Sequence, residues 1–274
     1  MKYRQIINLL WISIPMCVLL RVIQIMFTLD DNTGFLKQEY YKIGMLISFV
    51  VCAAAIAIAA IAGNVTKLEK QEKEIDVAVA VTGFLTGGMF FYEISTMRAT
   101  LGGGLIKNMI FILLALGSAY TFIAYGFKKI YKYKFPSMLL IIPAIYYLAK
   151  LINLFVSTSG LALVTKNTFM LIANAALLLF VFEFASFENN YKGKEGKPKK
   201  LFAVGIGTIM ICVSTALPVV ISAILQNNEL TVVSKGELAS SVLMITQAIF
   251  IFAYLNGNFC KKSANEKPNS KHSA

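Results

Sequence analysis

The sequence predicts an all-α fold, a polytopic membrane helix bundle of about eight transmembrane helices with both termini in the cytoplasm. Three observations carry this expectation. Apolar residues make up 57% of the 274-residue chain and charged residues only 15%, whereas a soluble domain carries roughly 25% charged. The apolar residues arrive in long runs separated by short polar strips, with a strongly positive mean hydropathy. Lysine and arginine gather in alternate strips and not evenly along the chain.

Eight runs are long enough to cross: 6–28, 43–63, 77–97, 105–127, 137–157, 168–187, 201–225 and 237–258. Each is close to the ~20 residues that a helix needs to span a ~30 Å hydrocarbon core. The first run, Ile6 to Thr28, is too long for the apolar part of a signal peptide and lacks a small-residue cleavage site after it, so it reads as a span.

Orientation follows from the basic residues. With the N-terminus inside, five cytoplasmic strips hold 18 of the 26 Lys and Arg, among them Lys128, Lys129, Lys132 and Lys134, and the run Lys192 to Lys200. The four outer strips hold six: Lys37, Lys42, Arg98, Lys107, Lys166 and Lys235. That asymmetry is the usual topology signal. The expected location is a bacterial plasma membrane. The same distribution explains the net charge of +12 without nucleic acid as a partner. The expected partners are the bilayer itself and, at the lysine-rich loops, a cytoplasmic protein or anionic lipid headgroups.

Residues 1–260 read as a single transmembrane domain and 261–274 as a disordered cytoplasmic tail. The strip from Asn64 to Asp76 has a cap-like Asn64 and an opposite-charge pair, Glu69 and Lys73, at helical spacing, and is expected to extend a helix into the cytoplasm. An internal duplication is a further expectation. Arg21-Val-Ile-Gln24-Ile-Met matches Lys150-Leu-Ile-Asn153-Leu-Phe in chemical type at an offset of 129. The same offset carries Ala119, Ala124 and Tyr125 onto Ala248, Ala253 and Tyr254, and Thr86 onto Thr215. Halves 1–134 and 135–260 would then be a parallel 4+4 repeat about an axis along the membrane normal. Apolar helices share few residue types, so chance alignment explains the same pattern.

Of the 26 Lys and Arg, only Arg21 and Lys150 belong to neither set of strips, and both lie inside spans. A charge at bilayer depth costs at least ~2.5–3.5 kcal/mol, so each needs a reason. Tyr146, Lys150, Asn153 and Ser157 follow i, i+4, i+7, i+11, one polar stripe on the fifth span. Arg21, Gln24 and Thr28 form a similar stripe on the first. Glu93 stands near the outer end of the third span and is the natural counter-charge, with Thr86, Thr215, Ser240 and Gln247 as wall residues. Arg21, Gln24, Glu93, Tyr146, Lys150 and Asn153 are therefore the candidate ligand-binding residues, lining an outward-facing polar pocket for a small anionic or zwitterionic ligand. Two structural readings compete with this one: Arg21 and Glu93 snorkelling to the outer interface, and Lys150 pairing with a neighbouring helix. Glu183, among phenylalanines near the cytoplasmic face, reads as interface-anchored.

Several chemistries lack their residues. The only histidine is His272, in the tail, which removes histidine metal sites and a serine–histidine pair. The aspartates are Asp30, Asp31 and Asp76, all in strips between spans, and no GxxxxGK[ST] loop occurs. Gly102-Gly103-Gly104 reads as a flexible turn. Cys17, Cys52, Cys212 and Cys260 show no CxxC pairing and read as small apolar residues. Neither a cofactor nor a metal is expected. The leading expectation is small-solute binding or transport. Its rivals are a non-catalytic accessory or sensor protein and a lipid-modifying enzyme without recognisable motif.

Gly83 and Gly87 have the small-xxx-small spacing of close helix packing, and Pro15, Pro143 and Pro218 fall inside spans, where proline kinks a helix.

Overall fold

The computed structural model describes residues 3–28, 37–64, 76–100, 105–131, 135–158, 165–189, 197–225 and 235–259. Eight long helices account for nearly all of them: α1 (Tyr3–Ile23), α2 (Tyr41–Gly63), α3 (Val77–Thr100), α4 (Leu105–Tyr131), α5 (Ile141–Thr158), α6 (Thr165–Glu188), α7 (Lys197–Leu225) and α8 (Lys235–Phe259). Each is long and apolar enough to cross a membrane, and no strand occurs among the described residues. A π-helical turn, Gln24–Thr28, extends α1, and short 3-10 turns precede α2 and α5. The chain is a multi-pass membrane helix bundle.

Its surface confirms the solvent. Phe49 is 72% exposed, Leu113 71% and Ile56 68%, positions that would be costly to leave in water. In hydrocarbon they cost nothing, and a helix meets that medium's demand that backbone groups be satisfied internally.

Helices α3, α4, α5, α6, α7 and α8 touch their neighbours in that order, and α8 returns to α3, which closes a ring of six. Helices α1 and α2 pair with each other and lean on α7 from outside. Contacts at both levels fix the directions. Asp76, at the start of α3, lies against Gly257, near the end of α8, while Glu93, late in α3, bonds Ser240, early in α8. The end at which α3 starts and α8 finishes is termed proximal; the opposite end is distal.

Glycine sets the closest approach. A Cβ on Gly83 would stand 3.0 Å from the Phe122 carbonyl oxygen, and one on Gly126 3.0 Å from that of Ala80. The backbones of α3 and α4 thus meet directly, as the spacing of Gly83 and Gly87 predicts.

The centre of the ring is filled by aromatic rings from α3, α4, α5, α6 and α8. Phe90 packs on Phe122 and Tyr146, Phe122 on Phe250, and Tyr125 on Phe250 and Phe184. Phe184 meets the Tyr254 ring edge-on at 4.7 Å, an arrangement that the ring quadrupoles favour.

Two expectations change. Asn64 does not open a helix but closes α2, its backbone N–H returning to the carbonyls of Ala62 and Ile61. Residues 65–75 lie outside the described residues, and it is Asp76 that caps α3, accepting from the Val79 N–H at 3.3 Å. Pro143 falls in the first turn of α5, where its missing N–H has no partner to lose and causes no kink; Pro15 and Pro218 do lie inside α1 and α7. The 4+4 repeat is not shown. At the 129-residue offset α1 and α2 correspond to α5 and α6, yet the first pair stands outside the ring and the second within it. Asp30, Asp31, Gly102 to Gly104, Cys260, His272 and the tail 261–274 lie outside the described residues, as does the side chain of Ser157.

Candidate functional site

Five of the candidate residues divide between two clusters that do not meet. The first is built on Glu93. Helix α3 brings this carboxylate to the distal half of the ring, where its side chain is 3% exposed. Lys150, on α5, forms an ion pair with its Oε1. One turn earlier on the same helix face, the Tyr146 hydroxyl donates to Oε2 at 2.6 Å. Ser240, on α8, donates to Oε1 at 2.7 Å and accepts from Lys150 Nζ at 3.1 Å. Every oxygen of the carboxylate is thereby engaged, as a buried charge requires. The stripe of Tyr146 and Lys150 read from the sequence is what makes this possible, since i and i+4 stack on one helix face.

This centre ties α5 to two helices, α3 and α8, that it does not otherwise adjoin. In the ring α4 stands between α3 and α5, and α5 lies opposite α8. The carboxylate and its partners therefore bridge the interior at its distal end.

The second cluster is built on Arg21, and it corrects the expected convergence. Arg21 is 1% exposed and donates from Nη1 to Gln24 Oε1. Gln24 Nε2 donates in turn to the Gly44 carbonyl at 2.6 Å and to Ser48 Oγ at 2.8 Å, both on α2. The guanidinium stands over the Phe169 ring of α6, Cζ 3.6 Å from its centroid. Among the described residues no carboxylate pairs with Arg21, and Glu93 is not its counter-charge. The two stripes do not face each other, because α1 packs outside the ring while α5 is part of it. Neither Arg21 nor Glu93 snorkels; both are enclosed. Asn153 is half-buried and takes no part in either cluster.

A third polar centre was not anticipated. At the proximal end, Glu188 closes α6 and gathers donors from two other helices. Tyr125 of α4 and Tyr254 of α8 donate to its Oε1 at 3.1 and 3.0 Å. Lys128 of α4 pairs with its Oε2 at 2.7 Å. Read as sequence, Glu188 borders a lysine-rich strip and looks like an ordinary helix-end carboxylate. Nearby, Glu183 pairs with Lys200 at 2.6 Å on a more open surface, as an interface-anchored group should. Between the charged centres, Gln247 of α8 donates to the Tyr147 hydroxyl of α5. The weaker wall candidates split: Thr86 bonds the Thr246 carbonyl of α8 at 3.4 Å, while Thr215 Oγ1 is buried without a partner among the described residues.

No protein-family model, curated protein or solved structure matches the chain.

Proposed function

We propose that this multi-pass protein binds a small zwitterionic solute at the Glu93–Lys150 centre and carries it across a bacterial plasma membrane, the distal end facing out and both termini in the cytoplasm. The observation behind this reading is the buried carboxylate–ammonium pair, which bridges three helices with Tyr146 and Ser240 as flanking hydroxyls. Breaking such a pair from one side leaves the other charge buried and unpaired, a loss of about 3–5 kcal/mol. A singly charged solute would incur that loss. A zwitterion replaces both partners at once: its carboxylate takes Lys150 and its ammonium takes Glu93, while Tyr146 and Ser240 remain as hydrogen-bonding neighbours. The charge complement of the site thus selects an amphoteric ligand over a plain anion. The accessory-protein reading is weaker, since two lysines that a docked partner would use, Lys128 and Lys200, are engaged with Glu188 and Glu183.

The test is thermal stabilisation of the protein in lipid nanodiscs by a panel of α-amino acids, with their amides and decarboxylated amines as singly charged controls. A true ligand at a hundred times its Kd adds about 2.7 kcal/mol. The expected result is stabilisation by one or more zwitterions only, abolished by Glu93→Gln and by Lys150→Ala and weakened by Ser240→Ala. If folded Glu93→Gln and Lys150→Ala proteins bind as the parent does, or if singly charged controls bind equally well, the reading fails.

A further inference from the structure

We infer that the face of α8 formed by Ser240, Gln247 and Tyr254 lines the solute's route through the ring, and that the Glu188 centre is its second charged station. The inference rests on the transport reading above and extends it from one site to a path.

The first support is periodicity. Ser240, Gln247 and Tyr254 follow one another at seven-residue steps, which return to nearly the same helix face, about 20° apart per step. Each step is roughly 10 Å along the axis, so the three mark the distal third, middle and proximal third of a single stripe. All three side chains point to the interior of the ring, because each bonds a partner from a helix across it. Ser240 meets Glu93 and Lys150, Gln247 meets Tyr147, and Tyr254 meets Glu188.

The second support is the likeness of the two ends. Each holds one carboxylate nearly sealed from solvent, one lysine paired with it, and hydroxyl donors on the same carboxylate. The distal centre joins α3, α5 and α8; the proximal centre joins α4, α6 and α8. A group with complementary charges that replaces the first pair is chemically equipped to replace the second. Helix α8 is the one element common to both.

The third support lies between them. The Gln247 carbonyl oxygen, Oε1, is buried without a donor among the described residues. An orphaned acceptor in the middle of a membrane is costly, and an ammonium group passing from one carboxylate to the next would satisfy it. In the present conformation both ends are latched and aromatic rings fill the space, so passage requires that one latch open while the other holds.

The experiment reads the latches directly and needs no solute. Gln247→Cys is placed in a chain whose four native cysteines, Cys17, Cys52, Cys212 and Cys260, are changed to alanine. The protein is reconstituted in vesicles and treated from either side with a membrane-impermeant thiol reagent. With both centres intact the thiol at position 247 should react slowly from each side. Glu188→Gln should raise the rate from the proximal side, and Glu93→Gln from the distal side, each by about tenfold or more, the shift expected when a latch loses over 1.4 kcal/mol. The double variant Tyr125→Phe/Tyr254→Phe keeps the ion pair and serves should Glu188→Gln fail to fold; it should move the proximal rate in the same direction. An unchanged proximal rate in either folded variant overturns the inference. If instead the latches respond but no zwitterion binds at Glu93, the path stands and the proposed solute class falls.

Discussion

Tyr125 and Tyr254 donate to the same atom, Oε1 of Glu188, from two different helices, α4 and α8. Their rings also approach to 6.4 Å between centroids. Neither helix touches α6 closely along its backbone at this point in the ring order, so the shared oxygen is what draws three helices to one place.

Sharing makes the two hydroxyls interdependent. A hydrogen bond to a charged group contributes about 1.5–3 kcal/mol. Tyr125→Phe or Tyr254→Phe alone leaves Oε1 one tyrosine donor, and each should cost less than that range. The double variant removes both tyrosine donors and should cost more than the two singles together. Thermal unfolding in detergent micelles measures this; additivity within about 0.5 kcal/mol would mean that the two act independently.

The distal pair obeys the same logic with larger stakes. Glu93→Gln and Lys150→Ala should each destabilise the folded protein by about 3–5 kcal/mol, because each strands a buried charge. Combining them removes both charges, so the double variant should be more stable than the sum predicts, by at least about 1 kcal/mol. The coupling energy from the four proteins is the measurement.

Glycine packing offers a matched pair of neighbours. A Cβ at Gly87 would lie 2.5 Å from Ile123 Cγ1 and 3.0 Å from the Ala119 carbonyl oxygen, whereas one at Gly88 meets nothing within 4 Å. Gly87→Ala should therefore lower the unfolding midpoint, by the equivalent of about 1–3 kcal/mol of overpacking. Gly88→Ala should raise stability by up to about 1 kcal/mol through helix propensity.

Arg21 should matter to folding and not to the solute. Arg21→Lys replaces a planar group that stacks on Phe169 with a compact ammonium that cannot, and Phe169→Leu removes the ring itself. Each should destabilise by about 1–2 kcal/mol. In the nanodisc binding assay both should leave the affinity of the Glu93 centre within about twofold, since a separate cluster shares no partner with it.

Much of this was legible in the sequence. Hydropathy alone placed all eight helices, because hydrocarbon imposes a length on each. Tyr146, Lys150 and Glu93 were legible as well, since a polar residue in an apolar run is conspicuous and helical spacing says which of them share a face. What the sequence could not supply was the neighbour of each face. Arg21 and Lys150 stand at similar depth on similar stripes, yet α1 lies outside the ring and α5 within it. Glu188 escaped notice for a different reason: it ends a span beside lysines, where a carboxylate is unremarkable until two tyrosines are seen to converge on it. The stripe of Ser240, Gln247 and Tyr254 was present all along at seven-residue spacing, but serine, glutamine and tyrosine are too common in such helices to single it out without the partners.

The outlying position of α1 and α2 bears on how the protein is made. Their seat is α7, which ends at Leu225, 162 residues after α2 ends at Gly63. At ordinary translation rates that separation lasts roughly 10–30 s. During this interval the first hairpin must wait in lipid with an arginine inside it. The bonds from Arg21 to Gln24, and from Gln24 to Gly44 and Ser48, lie wholly within that hairpin. The newborn pair of helices thus carries its own solvation for the charge until the rest of the chain arrives.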